Sequence, residues 1–176
     1  TQHLDVVQVD GGADYRLRVL EKGGVFHSPA DAGANAAMAE TFDAIAGGQA
    51  ERDIELEMEG RAVRALRTGP GVAWFRFSEL CDGPRGQADY IELARRYHTV
   101  FISEVRRLGA GEADCRRRFT WLIDEFYDRR VKLILSAEVH LTQLLQAGAG
   151  DVEVERAASR LVEMQTHQYL SEAHLA

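Results

Sequence analysis

The chain has 176 residues, 45% hydrophobic and 28% charged, which is enough to bury the core of one domain. Its 21 Lys and Arg against 28 Asp and Glu leave a net charge of −7, which speaks against broad electrostatic capture of nucleic acid or an anionic membrane. No apolar run approaches the ~20 residues that span a bilayer and no signal-like segment opens the text, so a cytoplasmic protein without a transmembrane segment is expected.

Residues 4–9 (LDVVQV) are a short apolar run closed by Asp10-Gly11-Gly12, and they predict a buried strand. Ser28-Pro29-Ala30-Asp31 sets out an N-cap serine, a proline in the first turn and an acid three residues after the cap. The helix it opens should run to about Ala46, present Ala37, Met38, Phe42 and Ile45, and stop at Gly47-Gly48. In residues 53–59 (DIELEME) acids alternate with Ile54, Leu56 and Met58, the pattern of a strand with one wet face. After Gly60, residues 61–67 (RAVRALR) return with arginines able to face those acids, and Gly69-Pro70-Gly71 turns the chain into residues 72–77 (VAWFRF). An inserted antiparallel β meander over about 51–77 follows.

Residues 78–87 are rich in turn formers, and Asp89-Tyr90-Ile91-Glu92 is a capping-box arrangement opening a short helix to Tyr97. Residues 99–105 (TVFISEV) are apolar and β-branched. Residues 112–130 then keep Phe119, Leu122, Ile123, Phe126 and Tyr127 on one helical face, and residues 131–137 are a second apolar run. A strand, an amphipathic helix and a strand make a crossover, so the two strands should lie parallel in a covered sheet. The fold class is α/β, with an α/β unit over 88–138. Residues 140–176 read as C-terminal helices: a short one at 141–146, a flexible break at 147–150, and a last helix over 152–170. On that last helix Val154, Ala157, Ala158, Leu161 and Met164 line one face, and Arg156, Arg160, Glu163 and His167 another.

Few residues carry chemistry in a recognisable pattern. The six histidines, at 3, 27, 98, 140, 167 and 174, have no acid or cysteine at ligand spacing, so no metal site is expected. Cys81 and Cys115 are far apart in sequence and read as free thiols. Ser103 and Ser136 lack the elbow of a nucleophilic serine. Asp124-Glu125 copies the magnesium and water-activating pair of a phosphate-loop ATPase, but its periodicity is helical, which favours a solvated helix face. TVFISE at 99–104 is the better positional analogue of such a strand, with Ser103 where the metal-binding acid would stand. No G-x-x-x-x-G-K-[ST] occurs. Arg156 and Arg160 are candidate phosphate contacts by virtue of their fork-shaped donors, the alternative being exposure or pairing with Glu153 or Glu163.

Four strings, VDGGADYRL (9–17), FSELCDGPRGQADYIELARRYHTVFISEV (77–105), RRFTWLIDEFYDRRVKLILSAE (117–138) and SRLVEMQTHQYL (159–170), resemble the C-terminal half of the AFG-like P-loop ATPases. That family includes a bacterial cell-division ATPase and a mitochondrial lactation-elevated protein. The resemblance implies an AAA+-type parent that binds and hydrolyses ATP with Mg2+, acts on a protein partner such as the division ring, and forms a homo-oligomer. It also implies that the Walker A and Walker B elements precede Thr1, so this chain alone should hold no cofactor and be inactive. Arg160, in SRLVEMQ, matches the position of a nucleotide-sensing arginine. Arg106 departs from the pattern, where relatives tend to have proline, which puts the exit from the 99–105 strand in question. A different reading of the same residues stays open: a non-catalytic protein-binding module that works without nucleotide.

Overall fold

The computed structural model describes the backbone of residues 2–146 and 150–176, with side chains from residue 12 onward. A single six-stranded sheet has the order β1-β6-β5-β4-β3-β2. Its strands are β1 (Phe26–His27), β2 (Glu51–Met58), β3 (Arg61–Gly69), β4 (Val72–Arg76), β5 (Thr99–Val105) and β6 (Lys132–Ala137). Neighbours from β1 to β4 run parallel, while β4-β3 and β3-β2 are antiparallel. The helices are α1 (Gln2–Gly23), α2 (Ala32–Ala46), α3 (Phe77–Cys81), α4 (Gln87–Arg96), α5 (Ala113–Asp128), α6 (Val152–Glu163) and α7 (His167–Ser171).

The predicted strand-helix-strand unit is present as β5-α5-β6, with parallel register Thr99 to Lys132 and Phe101 to Ile134. Both strands are buried almost throughout because helices cover the two faces. On one face Phe42 of α2 meets Trp74 and Phe101, ring centroids 6.0 and 5.3 Å apart. On the other, Phe119, Leu122, Ile123 and Phe126 of α5 are fully buried, and Phe77 meets Phe119 edge to face. The meander forms as expected, but it is not a separate layer: β4 pairs with β3 on one side and β5 on the other, so β2 and β3 extend the central sheet. Its register places Arg64 opposite Glu55 and Arg67 opposite Arg52. Repulsion between that second pair is avoided because Arg67 turns to Asp43 and lies over the Phe42 ring.

Several local expectations are corrected. Phe77, expected to end the third meander strand, instead opens α3, which runs into the stretch read as linker, and α4 is capped at Gly86, whose N–H donates to the Asp89 carboxylate at 2.8 Å, where Asp89 itself was expected to open the helix. Residues 4–9 are helical, inside α1, where a strand was expected. A six-residue apolar run does not distinguish the two periods, and the helix continues through Leu17 and Leu20, which pack on the core. The cap of α2 is Asp31, not Ser28: Asp31 is extended at φ −118°, and its carboxylate accepts from Ala34 N at 2.9 Å. Gly47 ends that helix as predicted, at φ 63°, where a side chain would be strained. Residues 141–146 form only a 3-10 turn, Leu141–Gln143, followed by a bridge from Leu145 to Leu108. The last helix is two: Thr166 breaks it, its hydroxyl donating to Glu163 O at 2.7 Å and accepting from Tyr169 N at 3.2 Å, which starts α7. Of the expected break at 147–150, residues 147–149 lie outside the described residues.

Candidate functional site

Helix α6 docks on α5 through Val154, Ala157 and Leu161, all buried. The 3.6-residue period then carries Arg156, Arg160 and Glu163 along the flank of the α5-α6 seam. Asp124 is the acid that meets them. Its Oδ1 accepts from Arg160 Nη1 at 2.6 Å and its Oδ2 from Arg156 Nη2 at 3.1 Å, so one carboxylate holds both candidate arginines. The Arg160 guanidinium also lies 4.6 Å over the Tyr127 ring, and the Tyr127 hydroxyl donates to Glu163. That hydrogen bond, first among its causes, raises the Tyr127 pKa. Neither Glu153 nor Glu163 is the acid that pairs with these arginines. Asp124-Glu125 lies on a helix as its period required, but Asp124 is not a free solvated acid: its side chain is 17% exposed. Glu125 pairs with Arg129 at 2.9 Å.

In open α/β sheets, ligands bind beyond the carboxyl ends of the parallel strands. Here β1 leads through Ser28-Pro29-Ala30-Asp31 into α2, the position a phosphate-binding loop takes in a strand-loop-helix unit. The residues present do not fit a triphosphate. Pro29 lacks an N–H, no lysine lies in the loop, and the Asp31 carboxylate already occupies the helix N-terminus. On β5, Ser103 is buried, and Glu104 adopts a left-handed backbone at φ 64° with its N–H donated to Ser136 Oγ at 3.0 Å. The Glu104 carboxylate is exposed and meets Arg76 at 3.5 Å. No group of three or more metal-ligating side chains occurs among the described residues.

The family model for AFG1-like ATPases matches residues 1–173. The chain belongs to the AFG1-like ATPase family. It is 42% identical over 178 residues to the cell division protein ZapE of Escherichia coli K12, covering 99% of this chain and 47% of that protein. It is 32% identical over 203 residues to lactation elevated protein 1 homolog B of Danio rerio, covering 96% of this chain and 40% of that protein. The chain thus spans about half the length of the curated relatives it matches. No solved structure is a significant match.

Within this AFG1-like chain, the exit from β5 is held by charge. Arg106 gives Asp82 two hydrogen bonds, at 3.0 and 2.6 Å, and Glu112 one at 2.8 Å. Asp82 is held below the usual carboxylate range, chiefly by its hydrogen bond from Arg106. The same carboxylate accepts from the Cys115 thiol at 3.4 Å, and Cys115 and Cys81 both remain free and buried. Burial pushes both thiols up, Cys115 to about 12, so neither is a nucleophile at neutral pH. Tyr127 as the stacking platform and Asp124 as the shared acceptor are the seam residues sequence reading missed. No helix among the described residues is long and apolar enough to cross a membrane.

Proposed function

We propose that the chain is the C-terminal part of an ATP-hydrolysing AFG1-like protein, and that the α5-α6 seam reports nucleotide state. In this reading ATP and Mg2+ are held by a phosphate loop outside these 176 residues. The β2–β4 meander (51–77), the α/β unit (88–138) and the C-terminal helices (140–176) are the working subdivisions. The observation that carries the reading is the shared carboxylate: Arg160 and Arg156 are kept oriented by Asp124, an acceptor a phosphate would replace in kind. The cell-division name of the Escherichia coli relative supports a protein partner in the division machinery; a cytoplasmic location and a homo-oligomeric working form complete the proposal.

The test uses the full-length protein that contains this chain. Arg160→Ala should lower ATP turnover at least about tenfold, because removing a charge-assisted hydrogen bond from a shielded site costs about 1.5 to 3 kcal/mol. Nucleotide affinity should fall with it. Wild-type turnover and affinity in the variant would sink the sensing role and leave the seam a structural ion pair. The alternative, a protein-binding module working without nucleotide, shares with the first reading an α2 N-terminus closed to phosphate by the Asp31 cap, so nucleotide turnover separates the two. Full-length protein that fails to hydrolyse ATP would establish that second reading.

A further inference from the structure

At the edge of the sheet opposite the carboxyl ends, where β5 and β6 begin, a half-open cavity of about 530 Å3 is framed by three separate parts of the fold. Helix α1 contributes Arg16, Leu17 and Leu20; His98 and Lys132 stand immediately before and at the first residue of the strands β5 and β6; the tail after α7 contributes His174. Lys132 is buried, its ammonium donating to Arg130 O and Glu172 O, both at 2.7 Å, and lying 4.9 Å over the Tyr169 ring. Two backbone carbonyls hold it in place without neutralising it. Of the two carboxylates on the wall, Glu172 is engaged by Arg130 and Asp14 is exposed. Arg16 and Lys132 are the fixed cations that act on His98, and Glu172, the carboxylate that acts on Lys132, is already paired with Arg130, so two cations converge on the cavity beside an engaged acid.

We infer that this cavity is a binding site for a small organic anion, a phosphate or carboxylate head on an apolar body, with Arg16 and Lys132 taking the head and Leu17, Leu20 and Leu170 the body. Its volume lies within the ~300–1,000 Å3 of small-molecule sites, and its mixture of apolar wall and convergent cations suits neither an uncharged ligand nor a metal ion. The site uses neither Arg156 nor Arg160, but it lies at the same end of the strands as the α5-α6 seam and touches it through Tyr169, whose ring stacks on Tyr127 at 5.8 Å and carries Lys132 as its other contact.

Calorimetric titration with phenyl phosphate, inorganic phosphate and phenol tests it. Phenyl phosphate should bind at least about tenfold more tightly than either fragment, a difference of ~1.4 kcal/mol. Arg16→Gln should weaken it about tenfold by the same measure, whereas Arg18→Gln, an exposed neighbour off the cavity wall, should not. Ala173→Trp, at a wall position outside the core, should abolish binding by bulk without touching the buried packing. Bound phenyl phosphate should also move the His98 ring titration upward in NMR, because an anion offsets the cations around it. Absence of binding to the correctly folded wild-type protein, or binding that survives both Arg16→Gln and Ala173→Trp with no shift at His98, would overturn the assignment.

Discussion

Arg160 donates to Asp124 across 36 residues of sequence, and the bond is 2.6 Å long with the guanidinium stacked on Tyr127. Arg156 reaches the same carboxylate at 3.1 Å, but its side chain is 47% exposed against 24% for Arg160. Solvent screens the Arg156 pair more than the Arg160 pair. A double-mutant cycle between Arg160 and Asp124 should therefore give a coupling of about 1 kcal/mol, and one between Arg156 and Asp124 only a few tenths. Equal couplings in urea denaturation would mean that the two arginines share the load and that the Tyr127 platform adds nothing.

Phe126 is fully buried on the sheet side of α5, as its place in the helical period requires. Phe126→Ala should cost about 3 to 5 kcal/mol, the loss expected for a buried ring and the space it leaves. Urea denaturation measures this directly. A loss under about 1 kcal/mol would contradict the packing of α5 on β5 and β6.

These two cases mark what the sequence reveals and what it hides. The β5-α5-β6 unit and the meander are legible because strand alternation and the helical period of Phe119, Leu122, Ile123 and Phe126 are local signals, repeated often enough to exclude each other. Residues 4–9 are too few for that, and packing of the later turns of α1 decides their state. The site follows the same division. The spacing of Arg156 and Arg160 puts both on one face of α6, whereas their acceptor on α5 is fixed only by how the two helices dock. The cavity residues are illegible for the same reason, since Arg16, His98 and Lys132 come from elements that meet only in the folded sheet.

His98 should make stability pH-dependent. Burial first, then Arg16, His174 and Lys132, push its imidazole down to about 4 from an ordinary 6.5. Asp14 and Glu172 line the same cavity but do not offset this. Between those values the unfolded chain binds the proton and the folded chain does not, so stability is fully present above pH 6.5 and falls as pH drops toward 4. The half-buried ring limits the loss to about 1 to 2 kcal/mol. Thermal melts of His98→Asn against wild type over this range should differ in slope, the variant losing less. Parallel curves would place the acid sensitivity elsewhere.

Arg67 is the buried charge whose removal should cost least. Its side chain is 8% exposed and lies 4.4 Å over the Phe42 ring, while its partner Asp43 is 62% exposed. The Nε atom is buried without a partner among the described residues. Removing the guanidinium strands no buried carboxylate, because water already solvates Asp43. Methionine keeps most of the length that covers Phe42. Arg67→Met should therefore be neutral or stabilising by up to about 1 kcal/mol, where breaking a pair of two buried charges would cost about 3 to 5 kcal/mol. Urea denaturation showing a loss above about 2 kcal/mol would mean that the stacked guanidinium is worth more than its desolvation costs.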